Sequence, residues 1–272
     1  MSRCNQEKNA AHRRLKLVAV SLLGLGIWVA GAEAQTDCVE GNGILDTAQP
    51  KDMTVPELIQ KIAAQENKVR DARTHYTFTQ DVLVQTLNGK AVDGQFHEVS
   101  SVSYDDKGKR KEAVTFAEQS TLRGVQLQED DMDDIRIFMP WLMTTDEVPQ
   151  YTVTYAGQQH VDDLDTYVFH VEPKKIEKNR RYYQGRIWVD NHDLQIVKLC
   201  GKSVPDVIHP KKHQFMDLRP SFVSYRQPVD GNWFPAYVRV DDTLHFRVES
   251  VHLHEIIKFK DYKKASSPAA KP

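Results

Sequence analysis

From Tyr76 to Phe259 the chain is written largely in period two, and this constrains the fold more than any other feature. Tyr76, Phe78, Gln80, Val82, Val84 and Thr86 alternate with Thr77, Thr79, Asp81, Leu83 and Gln85, which places the two sets on opposite faces of one strand. Asn88-Gly89 is a strong hairpin turn. Strands over 95–104 and 110–116 follow, split by the charged turn 105–109, and the three make an antiparallel meander. The pattern resumes at 151–155, turns at Ala156-Gly157 and returns over 166–171. Residues 182–200 read as another hairpin, with Ile187 and Val189 on one face of its first strand and Arg186, Trp188 and Asp190 on the other. Asp190-Asn191-His192-Asp193 supplies the turn, because Asn and Asp bond their own backbone and tolerate positive φ. Ile196, Val197 and Leu199 give the return strand its apolar content. After a Pro-, Lys- and His-rich loop over 201–220, segment 222–226 pairs with 233–240 across Asp230-Gly231-Asn232, and 244–248 pairs with 251–259. That makes about nine to eleven strands in sequential hairpins with no parallel crossover, and a sheet of this length curls into a barrel or half-barrel.

One helix precedes the sheet. Thr54 with Glu57 three residues on is a capping box, and Pro56 sits in the first turn, where its missing N–H costs nothing. Leu58, Ile59, Ile62, Ala63 and Val69 recur at helical spacing, with Gln60, Lys61, Gln65, Glu66 and Lys68 marking the wet side. A second interruption, 118–149, is of another kind. Asp130-Asp131-Met132-Asp133-Asp134 suits the start of a helix. It leads into Ile135-Arg136-Ile137-Phe138-Met139-Pro140-Trp141-Leu142-Met143, where Pro140 ends or kinks the element. So apolar a stretch in polar surroundings is either core packing or a lid over an apolar pocket, since Met and aromatic side chains adapt to irregular ligands. The predicted fold class is therefore α+β, mostly antiparallel β: a curved, half-open barrel covered by an N-terminal helix and an inserted helical segment.

Residues 1–34 have the form of a signal peptide. Arg13, Arg14 and Lys16 precede an apolar run over 17–31, too short to span a bilayer comfortably, and Ala32-Glu33-Ala34 fits a small-x-small cleavage site. An uncleaved membrane anchor is the alternative. Cleavage near Ala34 would leave a tail over 35–52, a single domain over 53–262 and a disordered tail over 263–272. It also removes five basic and two acidic residues from a chain of 36 and 38. The exported protein is thus acidic, with no general electrostatic reason to hold nucleic acid. Lys174, Lys175, Lys178, Arg180 and Arg181 are a local exception that decorates a loop or serves a partner or head group. Cys4 leaves with the leader. Cys38 and Cys200 remain, and export to the periplasm permits one disulfide between them; two separate thiols, with Cys200 buried, are the other reading.

The chain carries no Gly-x-Ser-x-Gly elbow, His-Glu-x-x-His helix, Cys-x-x-Cys, phosphate-binding loop or dinucleotide fingerprint. His252 and His254 share a strand face near His245 and could meet one ion, but histidines alternating on a wet sheet face look the same. Asp162-Asp163 and Asp241-Asp242 read as solvated carboxylates, the first pair in a turn and the second at a strand end. No catalytic, metal or cofactor site is assigned, and the protein is not expected to be an enzyme.

Gly185-Arg186-Ile187-Trp188-Val189-Asp190 followed by Ile196-Val197-Lys198, after a signal peptide, an amphipathic helix and a meander, resembles the periplasmic lipoprotein carriers. The likeness extends to the wider LolA/LolB-like superfamily of outer-membrane lipoprotein-sorting proteins. Tyr225 and the run Val229-Asp230-Gly231-Asn232-Trp233-Phe234-Pro235 are similar to a stretch common there, and the resemblance covers about 54–262. It implies an unclosed β-barrel covered by helices, a monomer without cofactor, whose apolar cavity takes lipid acyl chains or lipoprotein and hands them on without covalent chemistry. Ile135, Phe138, Met139, Trp141 and Leu142 are the residues expected to line it. The insertions at 118–149 and 201–220 depart from the pattern, and no arginine is assigned from the sequence to the latch that holds the carriers' lid. Two other functions are weighed beside this one. The first is an envelope sensor or scaffold module that binds a partner protein; the second is a hydrolase or metalloenzyme built on His252 and His254.

Overall fold

A computed structural model describes residues 38–39, 41–208, 216–246 and 249–265. The expected signal peptide and most of the C-terminal tail lie outside the described residues. Helix α1 runs over Val55–Arg73, and its capping box is closed: the Glu57 amide donates to Thr54 Oγ1, and the Thr54 amide donates to Glu57 Oε2 at 2.9 Å. Leu58, Ile62, Ala63 and Val69 are buried as the spacing requires. Glu66, expected on the wet side, is fully buried as well. It continues the row of Leu58 and Ile62, and its charge is met by a partner far along the chain.

The strands are β1 Tyr76–Asn88, β2 Ala91–Tyr104, β3 Arg110–Ala117, β4 Tyr151–Val161, β5 Leu164–Pro173, β6 Tyr182–Asp190, β7 Ile196–Val204, β8 Val207–Ile208, β9 Met216–Asp217, β10 Phe222–Val229, β11 Asn232–His245 and β12 Ser250–Lys264. Between β3 and β4 lie a short helix α2, Glu129–Asp133, and a π-helical turn, Asp134–Phe138. Ten strands form one antiparallel sheet in the order β3-β2-β1-β12-β11-β10-β7-β6-β5-β4, and β8 pairs with β9 apart from it. The sheet does not close on itself, so the architecture is a half-open barrel with α1 and the insert on its inner face. Phe78, Val82, Ile187, Val189, Val238, Val240, Ile257 and Phe259 meet Leu58, Ile62, Met132, Ile135 and Met139 in one apolar cluster there. The alternation of β1 is complete, with all six residues from Tyr76 to Thr86 on its inner face buried.

The β6–β7 hairpin is buried on both faces. Trp188 faces away from the main core into a second cluster with Val168, Val197, Cys200 and Val223. The N-terminal tail covers this outer side: Cys38 is disulfide-bonded to Cys200, and Lys198 Nζ donates to Asn42 Oδ1 at 2.8 Å. The tail also reaches the β4 edge, where Asp46 and Gln158 exchange backbone hydrogen bonds of 2.7 and 2.8 Å. Gly157 makes this approach possible. A Cβ there would stand 2.2 Å from the Asp46 carbonyl oxygen, and the residue adopts φ 145° in a bulge.

Four expectations are corrected. The hairpin turn after β4 falls at Asp162-Asp163, since Val161 pairs with Leu164, and Ala156-Gly157 is the bulge just described. Residues 201–204, expected in a loop, extend β7 by pairing with the start of β6. Asp241-Asp242 do not end a strand. They sit within β11 opposite His254 and Leu253, and Asp242 accepts the Ser221 amide at 2.7 Å, so β11 is one strand shared by β10 and β12. Finally, β12 runs through Lys264, past the expected strand end at Phe259, because Lys264 pairs with Tyr76.

Candidate functional site

The candidate site is the insert together with the sheet face it covers. The acidic run forms α2, and the chain leaves helical geometry after Phe138, just before Pro140. Ile135, Met139, Trp141 and Leu142 are buried, Met143 is sealed off entirely, and Phe138 is half-buried against the same core. Trp141 anchors the segment. Its ring stacks on Tyr183 at 4.8 Å and meets Tyr151 edge-on at 5.2 Å.

A buried ion pair fastens this end. Arg226 of β10 donates from Nη1 to both carboxylate oxygens of Glu66, at 3.2 and 3.1 Å, and from Nη2 to the Trp141 carbonyl at 2.6 Å. Glu66 Oε1 also accepts the Ile196 amide at 3.0 Å. One guanidinium therefore ties α1, β10 and the insert together, with β7 held through Glu66. Burial lowers the Arg226 pKa and Glu66 opposes that fall. Two exposed contacts extend the fastening, a reciprocal pair between Asn67 and Thr145 and a salt bridge from Arg70 to Asp146 at 3.3 Å.

The other end is held by carboxylates. Asp134 accepts from Arg181 at 3.1 Å and from Ser203 Oγ at 2.8 Å, with Arg219 Nε 3.6 Å away, while Arg219 also pairs with Asp131. Burial pushes the Asp134 pKa up to about 6 despite Arg181 and Arg219. Glu255 of β12 faces the same place. Burial, and then the nearby charges of Asp131, Asp134 and Asp242, push its pKa up to about 8. The basic run of the sequence finds part of its use here. Arg181 reaches Asp134, while Arg180 bonds Gln150 and Lys174 the Pro149 carbonyl, at the far end of the insert.

Beside the insert a partly open cleft of about 300 Å³ is lined by Phe78, Tyr104, Ile137, Pro140, Pro235 and Phe259, with Arg73, Arg110, Arg136, Asp133 and Gly108 around them. The five residues expected as a lining are not in its wall; the insert contributes Asp133, Arg136, Ile137 and Pro140 instead. The expected five point into the sheet, and the cleft lies on the neighbouring side of the π-helical turn. Its strand residues were legible as core, but nothing in their spacing marked them as walls of a space.

His252 and His254 do share a face, and both turn to Asp241, at 3.0 and 4.0 Å from its Oδ1. Asp190, His192 and Asp193 are the described acidic and histidine side chains grouped closely enough to share an ion. They belong to the β6–β7 turn, where Asp190 accepts the Asp193 amide at 2.6 Å.

The geometry defines a class: an open antiparallel sheet whose inner face is filled by a helix and an apolar insert. No family model matches the chain, and no curated protein does. Among solved structures the chain is similar to a DUF1329 family protein from Desulfovibrio piger, at 13% identity and TM-score 0.42 over 78% of this chain and 94% of that one. It is also similar to a LolA superfamily protein from Nitrosomonas europaea, at 12% and 0.36 over 77% and 94%. A putative outer membrane lipoprotein-sorting protein domain from Vibrio parahaemolyticus matches at 10% and 0.35 over 78% and 95%.

Proposed function

We propose that the protein is an exported lipid-binding carrier of the outer-membrane lipoprotein-sorting type, which shields acyl chains between its open sheet and its insert. The observation that carries this reading is the insert itself. A Met- and aromatic-rich segment fills the inner face of an unclosed sheet, and polar contacts fasten it at its ends. Each buried methylene of a bound chain contributes about 0.8 kcal/mol. Met132, Met139 and Met143 give the surface that receives it the freedom to repack. The Cys38–Cys200 disulfide supports an oxidising compartment, and so supports export to the periplasm.

One observation favours a second reading, a module that binds a partner protein. Strand β3 ends the sheet with Val114 and Phe116 exposed and, among the described residues, only β2 beside it. Native mass spectrometry of protein purified from cells separates the two readings. Lipid adducts on the intact chain, with uptake of a fluorescent fatty acid, are the expected result. A clean mass with no uptake removes the carrier reading, and a stoichiometric crosslinked protein in its place selects the second.

A further inference from the structure

The cleft at the end of α1 has a composition that an apolar lining for acyl chains alone does not require. Phe78 and Phe259 form an aromatic floor, their rings 6.1 Å apart, and Ile137 stands on the wall with half its surface open. Arg110 lies over the Phe78 ring at 5.6 Å and donates from Nη2 to Gln80 Oε1 at 2.5 Å. Its Nε and the Gln80 Nε2 are buried donors with no acceptor among the described residues. Buried donors of this kind are costly while nothing accepts from them.

The charges around the cleft are unequally matched. Arg136 is saturated by Glu112 at 3.0 Å, Glu129 at 2.6 Å and Asp133 at 3.3 Å. Arg110 has only a share of Glu112, at 3.6 Å. Arg73 has no carboxylate partner among the described residues, whereas Arg70 in the same helical turn takes both Asp71 and Asp146. A helix C-terminus favours cations in general, but that does not explain why the arginine at the cleft is the one left unpaired. One guanidinium without a carboxylate and a second with only a share of Glu112, over an aromatic floor, fit an anion carrying a hydrocarbon chain. The size narrows it further. About 300 Å³ lies at the small end of ligand pockets, room for one chain of roughly ten water-sized groups.

We propose that this cleft binds a single-chain anionic amphiphile, with its chain on Phe78, Phe259 and Ile137 and its head group on Arg73 and Arg110. The proposal rests on the lipid-binding reading and narrows it to one charge and one chain. Titration calorimetry of the exported chain with laurate and with lauryl maltoside, both below their micelle concentrations, tests it. Laurate is expected to bind at least about tenfold more tightly than the neutral glycoside, and to weaken with added salt. Arg73→Ser, at a half-exposed and unpaired position, should weaken laurate about tenfold and leave lauryl maltoside unchanged. Ile137→Asp, also at an exposed position, should weaken both. Equal affinity for the two probes, or laurate binding indifferent to Arg73→Ser, overturns the proposal. If native mass spectrometry still shows lipid on the purified chain, the carrier reading survives that failure; no probe binding together with a clean mass overturns both.

Discussion

Residues 139–144 and residues 129–138 of the insert cover the same sheet but are held in different ways. The first group is wedged by Trp141 and tied by an ion pair in which Arg226 and Glu66 are both fully buried. The second is anchored by Asp134 among Arg181, Arg219 and Ser203, above a buried Glu255. The difference lies in which groups change charge near neutral pH. Arg226 is held by a bidentate carboxylate and a carbonyl, and Glu66 opposes the fall that burial imposes on its pKa. Asp134 and Glu255 are carboxyls that burial forces towards their neutral forms. The insert thus has a half that stays fastened and a half whose fastening depends on pH.

The largest expected effect comes from breaking the fixed half. Arg226→Met leaves Glu66 buried without its partner and the Trp141 carbonyl without its donor, a loss of about 3–5 kcal/mol. For a chain of this size that lowers Tm by roughly 6–20 °C. The double variant Arg226→Met with Glu66→Met should recover most of it. A loss under about 1 kcal/mol in the single variant, read by thermal unfolding, would show that this end is not where the insert is held.

Glu255→Gln tests the other half. The folded protein keeps this proton up to about pH 8, whereas the unfolded chain releases it near 4.5. The stability that the proton brings is complete below about 4.5 and lost as pH rises through 8. The variant should therefore match the parent near pH 5 and exceed it by up to a few kcal/mol above pH 8. Equal pH–Tm curves would remove Glu255 from the comparison. Asp134 acts in the same direction between 3.8 and about 6. Hydrogen exchange, corrected for intrinsic rates, should accordingly speed up about tenfold for amides of 129–138 between about pH 5 and pH 8, and stay flat for 141–144. The smallest effect belongs to Glu129→Ala. It removes one exposed partner of Arg136 and leaves Glu112 and Asp133 in place, for a change under about 0.5 kcal/mol in denaturant titration.

Much of this molecule was legible from sequence where the rule is local. The alternation of β1 and the capping box of α1 depend on neighbours a few residues away, and both stand as expected. Glu66 was misread because its burial is made tolerable by Arg226, 160 positions later. The clue was its place in the row of Leu58 and Ile62, three residues before Val69. Gly157 was read as a turn because glycine permits turns; it also permits another backbone to come close, and only the tail's path decides between the two. The cleft was illegible for a similar reason. Arg73, Phe78, Arg110, Ile137, Pro235 and Phe259 come from a helix end, four strands and the insert, and no segment contains the pattern they make together.

The sheet order has a consequence for assembly. Strand β1 lies between β2, its neighbour in the chain, and β12, the last strand, with Tyr76 opposite Lys264 and the Ala265 amide bonded to the His75 carbonyl at 2.8 Å. A polypeptide is delivered N-terminus first. The opening meander therefore emerges early, with one side of β1 unpaired until β12 has been delivered. Joining two ends so far apart in sequence is a slow step, because the closure entropy falls due before the contacts form. The floor of the cleft, Phe78 against Phe259, is completed in that same step.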